Sequence, residues 1–465
     1  MTTHPNRRTI LSGIAAGAVC TIANPALLRA DTLGEKINIA CCGIGGRGAD
    51  VIRGLHATGL VNVVALCDTH LGSPQTAAIL NMFPNARTFR DFRKMFDQME
   101  KEFVAVSIGT PDFSHFPIAM RSMAAGKHIY CEKPMGHSFH QIQLMMNAEK
   151  TYKVSAQMGN QGHSGQGYFQ FETWVKAGII KDVTKITAFM NSPRRWHGKA
   201  FGDYLPEQPI PEGLDFDTWL ATAVPHPYNQ AYMVGEWRSW YDFGNGALGD
   251  WGAHIFDNAH QFLKLGLPTV VESTYMNGFS PVIYPQNATL KFSFPKRGKL
   301  PPLELTWYEG QQNFPPLPDN FGTSVVDPNI PPPTSGVIET KKLAPGKVIY
   351  GDGLIFKGGS HASELEIIGG ERQKDVMAHL PEVPMSPSDH FLNFVRACKG
   401  EEKCRSSFAV AGPLCQAMAL GIIAQRLNTK VVFDPVKKKI VNNDMADALL
   451  RGTPPRKEWE QYYKL

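Results

Sequence analysis

The chain has 465 residues, 43% of them hydrophobic and 19% charged, and a formal net charge of only +5. That length suits roughly two or three domains with sizeable cores, and the charge balance argues against a nucleic-acid partner or an acidic membrane surface. Three arginines and no acid fall in residues 1–30, so the rest of the chain is close to neutral.

The N-terminus reads as an export signal. Arg7 and Arg8 precede a weakly apolar stretch from Ile10 to Ile22, too short and too rich in Gly and Ala to insert stably in a membrane. The pattern resembles a twin-arginine signal over residues 1–30, with cleavage after Ala30. Periplasmic location is expected, and a cytoplasmic one if the signal reading fails. Of the eight cysteines, Cys41, Cys42, Cys67 and Cys131 fall in predicted core strands, so no disulfide framework is expected. Nor does any cysteine or histidine spacing suit a metal.

Residues 31–155 alternate short apolar runs with helical patterns, the βαβ rhythm of a parallel sheet. Lys36–Cys42 is a strand that runs into Gly43-Ile44-Gly45-Gly46-Arg47-Gly48. Gly43 permits the tight turn, Gly45 a close approach of backbone to a pyrophosphate, and Gly48 close packing of the following helix. A second strand, Val61–Cys67, ends in Asp68, placed to accept hydrogen bonds from an adenosine ribose. With no arginine directly after that acid, NAD is expected and NADP disfavoured. Phe103–Ile108 is a strand, Phe116–Ala125 a helix closed by Gly126, and His128–Cys131 a strand ending at Glu132-Lys133-Pro134. Ligands of parallel sheets bind beyond the carboxyl ends of the strands, so Lys133 is aimed at the cofactor crevice.

Beyond Val154–Met158 the pattern changes. Val183–Met190, Val270–Tyr275, Ala288–Phe294 and Leu303–Trp307 alternate as in a sheet with one covered face. A Rossmann domain over 31–155 is therefore expected to precede an open, mostly antiparallel α+β domain over 156–430, with 431–465 as a tail packed on both. Pro206–Pro227 and Pro315–Pro345 read as long loops or lids. Gly244–Gly249 reads as a loop, Gly249–Leu263 as a helix, and helices return at Pro387–Cys398 and Val410–Leu427. Asn160, Gln161 and His163 are polar candidates for substrate contacts. Arg194, Trp196, Trp240 and Tyr241 offer aromatic faces and a cation that could hold a substrate's apolar face or an anionic group.

GIGGRG, Asp68, Thr110-Pro111 with His115, AGKHIYCEKP and GALGDWGAH together resemble the glucose-fructose oxidoreductase, inositol dehydrogenase and MocA (Gfo/Idh/MocA) family. The resemblance implies NAD contacts from the glycine loop, Asp68, Thr110, Pro111, His115, Glu132 and Lys133, and often a homo-oligomer. It implies a catalytic group of Lys133, Asp250 and His254, the last two on one helix face. His254 would be the general base, Lys133 the relay and electrostatic partner, and Asp250 the orienting acid or a substrate contact, with lysine and histidine exchangeable. The expected activity is NAD-dependent oxidation of a carbohydrate hydroxyl with the cofactor tightly held. A redox-neutral, NAD-dependent glycosidase is the second reading, and a non-catalytic nucleotide sensor the third.

Overall fold

The computed structural model describes residues 35–191, 201–233, 235–322 and 343–465. The arginine-bearing leader, Arg194 and Trp196 lie outside the described residues.

The first half winds β1 (Ile37–Cys42), α1 (Gly46–Ala57), β2 (Val61–Cys67), α2 (Pro74–Met82), β3 (Arg87–Phe89) and α3 (Phe92–Met99). It continues through β4 (Ala105–Ile108), α4 (His115–Ala124), β5 (His128–Cys131), α5 (Phe139–Tyr152) and β6 (Ala156–Met158). The six strands order β3-β2-β1-β4-β5-β6, all parallel. Strands buried on both faces need apolar residues throughout, as in β4, whose four residues are all buried. The order reverses between β1 and β4, which opens a crevice beyond their carboxyl ends.

The second half begins with α6 (Gln166–Lys176), β7 (Val183–Met190), α7 (Phe216–Leu220), α8 (Gly246–Ile255) and α9 (Asp257–Phe262). Next come β8 (Val270–Asn277), β9 (Asn287–Phe294), β10 (Leu303–Glu309), β11 (Gly346–Gly351), β12 (Leu354–Gly359), β13 (Glu366–Gly369) and α10 (Gln373–Met377). The chain ends with α11 (His390–Cys398), α12 (Phe408–Arg426), β14 (Lys430–Asp434), β15 (Lys439–Ile440) and α13 (Asp444–Leu449). Nine strands order β13-β12-β11-β7-β10-β9-β8-β14-β15. The β10–β7 pair is parallel and the others antiparallel.

The expected sequence of a Rossmann sheet and a mostly antiparallel sheet is therefore the observed one, with differences of detail. β6 pairs with β5, so the first sheet runs past residue 155. β14 and β15 complete the second sheet, so they are not part of a tail. The helix expected over Gly249–Leu263 is two helices, α8 and α9, parted at Phe256. Since α8 starts at Gly246, Asp250 stands inside the helix and not at its N-terminus.

Two late segments return to the first half. Phe391 of α11 stacks on Tyr130 at 5.4 Å and occupies the space beside Gly54, where a Cβ would lie 2.4 Å from its ring. Trp459 and Tyr462 pack on Phe92 at 6.0 and 5.9 Å. The apolar helix α12 is long enough to cross a membrane, yet 78% of its most apolar window is buried, against α5, α8 and β8.

Candidate active site

A cleft of about 1210 Å³ opens at the β1/β4 reversal and extends to α8. Its nucleotide end is built from backbone. Gly43 has φ +77°, and a Cβ there would lie 2.6 Å from Thr110 N; one at Gly48 would lie 2.0 Å from Gly43 O. Only glycine fits either position. A Cβ at Gly46 would meet nothing within 4 Å, and Gly45, Gly46 and Arg47 line the cleft where α1 begins. A helix N-terminus behind a glycine turn is a ready anion site, so these residues fit a dinucleotide pyrophosphate.

Asp68 lines the same end. Its carboxylate accepts from Ile44 N and His70 N, both at 3.0 Å, which fixes it against the glycine turn with lone pairs left for a ribose. Arg90 also lines this end. It is brought there by β3, 22 positions along the chain, where the residues next to Asp68 could not reveal it.

Thr110, Pro111 and His115 follow β4 and line the cleft. His115 Nδ1 lies 2.9 Å from Pro134 O and Nε2 2.8 Å from Thr110 O, so the ring ties the two strand-end turns together. Burial lowers its pKa against the pull of both carbonyls. Arg47 Nε donates to Glu132 Oε1 at 3.0 Å, and Gln161 Nε2 donates to the same oxygen at 3.1 Å. The Glu132 charge raises the Arg47 pKa, and the pair links the start of α1 to the end of β5.

The candidate catalytic end is built from side chains distant in sequence. Lys133 Nζ donates to Asp250 Oδ1 at 2.6 Å and to Asp250 O at 3.0 Å, across 117 positions. Burial pushes the ammonium below the usual lysine range, against the pull of Asp250 and Glu132. His254, one α-helical turn on, lines the cleft with Lys133 and Asp250. Burial first, then the neighbouring His361 and Lys133, lower its pKa well below the ordinary imidazole value. A ring so placed is uncharged at neutral pH.

The other expected substrate contacts separate. Gln161 lines the cleft. Asn160 and His163 are buried and bind Asp257 Oδ2, at 2.8 Å through Nδ2 and at 2.7 Å through Nδ1, anchoring the end of β6 to α9. Trp240 is fully buried, its Nε1 donating to Ala231 O at 3.0 Å. Tyr241 packs on Tyr284 at 4.2 Å. These four are buried in the core beside the cleft and are not among the residues that line it.

Residues 37–160 match an oxidoreductase family with an NAD-binding Rossmann fold (GFO_IDH_MocA), and residues 172–272 match the C-terminal α/β domain of the same family. Both matched stretches are thus those of one family, the Gfo/Idh/MocA oxidoreductases. It is similar to the inositol 2-dehydrogenase of Salmonella paratyphi B, 27% identical over 175 residues that make up 37% of this chain and 48% of that protein. It is also similar to the glycosyl hydrolase family 109 protein 2 of Akkermansia muciniphila, 26% identical over 153 residues, 32% of each chain. The matched stretch thus spans about half, or less, of these curated relatives. The WlbA dehydrogenase of Chromobacterium violaceum, solved with NADH and UDP-GlcNAcA, shares the fold with a TM-score of 0.57 at 15% identity, over 87% of this chain and 97% of that one.

Three further residues line the Lys133 end of the cleft. Asp112 is buried and accepts from Asn245 N at 3.1 Å, and burial lifts its pKa to about 7 against the opposing Arg238. It directly follows Thr110-Pro111, where the sequence did offer a signal. Arg238 lies over the Trp237 ring at 4.0 Å, with Nε 3.7 Å from Asp250 Oδ1. His361 comes from the turn after β12, and nothing in the sequence ties that turn to α8.

Proposed function

We propose that this oxidoreductase oxidises a hydroxyl of a sugar or sugar derivative with NAD held as a resident group. The observation that carries the reading is the convergence of the glycine cradle with Lys133, Asp250 and His254 in one cleft. The start of α1 would hold the pyrophosphate and Asp68 the ribose. When bound, the nicotinamide exchanges a hydride with the substrate carbon. His254, kept neutral by burial, accepts the hydroxyl proton. Lys133, fixed on Asp250, stabilises the oxyanion that develops, as a charge does best in a desolvated site.

Retention is supported by the segment that carries α7. Asp215 N donates to Thr69 O at 2.9 Å and Thr222 Oγ1 to Phe113 O at 3.1 Å, so the segment bridges the turns after β2 and β4. Thr218, Trp219 and Ala221 line the cleft between these ties. Arg456 Nε reaches Ala221 O at 3.2 Å, and its guanidinium also pairs with Asp217. A nucleotide under this strap would leave slowly, which is where tight complexes differ from weak ones.

The similarity to a glycosyl hydrolase favours a second reading, in which the oxidation is transient and the substrate is cleaved at a glycosidic bond. Mass spectrometry of small molecules released by denaturation is expected to find nearly one NAD per chain. A panel of glycosides then separates oxidised sugar from released aglycone. Protein that carries no nucleotide and changes no glycoside would end both readings. We further propose export through the Arg7-Arg8 leader: Lys-Lys at those positions should leave folded, NAD-loaded protein in the cytoplasm. Wild-type protein found uncleaved in the cytoplasm would contradict it.

A further inference from the structure

The rings of His254 and His361 lie 3.9 Å apart, centroid to centroid, with planes 20° from parallel. Face-to-face rings share no in-plane N–H···N bond, so the two act on each other through charge and contact. Trp251 closes the side of the stack, edge-on to His254 at 6.0 Å and to His361 at 5.6 Å.

The turn that delivers His361 is held in an uncommon conformation. His361 and Ala362 have φ of +52° and +50°, a left-handed region that non-glycine residues enter at a cost. Surrounding contacts enforce it. His361 N donates to His254 O at 2.8 Å, and the ring Nδ1 lies 2.7 Å from Ser360 Oγ. Glycines on the facing segment leave room: a Cβ at Gly162 would lie 2.3 Å from His361 C, and one at Gly167 2.1 Å from Ala362 O. A strained turn fixed from both sides, with its side chain on the proposed base and in the cleft, has the character of a functional feature.

We propose that His361 is a positioning residue for His254: laid face to face on that ring, it restricts the pair to one proton and so keeps His254 a neutral acceptor. The inference rests on the reading of His254 as the base. Charges that face His254 come from four elements: Asp250 on α8 itself favours its protonation, while Lys133 after β5, Arg47 on α1 and His361 after β12 oppose it. Lys133 and Arg47 are each paired with a carboxylate, which blunts their effect. His361 is the opposing charge in direct ring contact. Two such groups titrate as a pair, in two macroscopic steps.

The test is an NMR pH titration of NAD-loaded protein labelled at histidine ring nitrogens, with resonances assigned by His254→Gln and His361→Gln. In the wild type, His254 should respond twice, weakly as its neighbour takes a proton and strongly only at lower pH. His361→Phe keeps an aromatic face and removes the charge. His254 should then titrate in one step, shifted upward by about one pH unit or more, and the acid limb of turnover should move up with it. A single-step His254 curve in the unmodified protein overturns the proposal without any variant, as does an unchanged His254 midpoint in His361→Phe. No substrate is consumed in this measurement. If His254→Ala retained turnover, the base reading would fall while the two-step coupling could still be seen.

Discussion

The two ends of the cleft are built from different materials. At the nucleotide end the fit is made by backbone and by the absence of side chains: Gly43 and Gly48 approach their neighbours closely, and Gly46 faces open space. At the catalytic end it is made by charge: Lys133 and Asp250 pair at 2.6 Å, with Asp112, Arg238 and the His254–His361 stack around them. A change at the first end should therefore act through shape and be read in nucleotide binding. A change at the second should act through protons and be read in turnover.

Substitutions can break this contrast, and the largest effect is expected at Gly48. Gly48→Ala sets a methyl 2.0 Å from Gly43 O, a backbone atom that cannot move aside, and should abolish NAD retention measured by mass spectrometry of denatured protein. Gly46→Ala meets no neighbour and carries only left-handed strain, about 1–2 kcal/mol. Equal NAD content in the two variants would refute the steric account of this end.

Next in size, Lys133→Met and His254→Ala should each lower turnover on an identified substrate by roughly 100-fold or more while NAD content stays near that of the wild type. Loss of nucleotide in both would mean that the two ends are not separable. Asp68→Ala tests a charged group at the shape-built end. It should weaken NAD binding by about 1.5–3 kcal/mol, the worth of hydrogen bonds to a charged group, and narrow the preference over NADP. Arg90→Ala should weaken NADP alone. Titration calorimetry on nucleotide-free protein checks both, and unchanged NAD affinity in Asp68→Ala would remove the ribose assignment.

The smallest effect concerns stability. Burial lowers the His128 and His390 pKa values from 6.5 to about 4, so the folded state binds fewer protons than the unfolded chain below 6.5. Stability is then full above 6.5 and declines as the pH falls from there through about 4. His390→Gln should flatten that decline in Tm. Parallel pH curves for variant and wild type would show that His390 does not contribute.

The contrast also explains what the sequence reveals. The glycine turn, Asp68 and the strands β1 and β2 are legible because their contacts form within one βαβ unit, where spacing fixes geometry. Lys133, Asp250 and His254 are visible through the motifs that carry them, although the fold alone joins β5 to α8. His361 and Arg90 are hidden because they arrive from other strands at no fixed spacing. Trp240, Asn160 and His163 mislead in the opposite sense: polar or aromatic side chains suited to a sugar are equally suited to a buried network, and burial decides between the two.

The most direct test of the account is a single-turnover experiment on NAD-loaded protein mixed with a panel of sugars, following nicotinamide absorbance. Wild-type protein should reduce close to one nucleotide per chain with at least one member of the panel, and Lys133→Met, equally loaded, should do so roughly 100-fold more slowly or worse. Reduction at the same rate in Lys133→Met would contradict the claim that the two ends of this cleft form one active site.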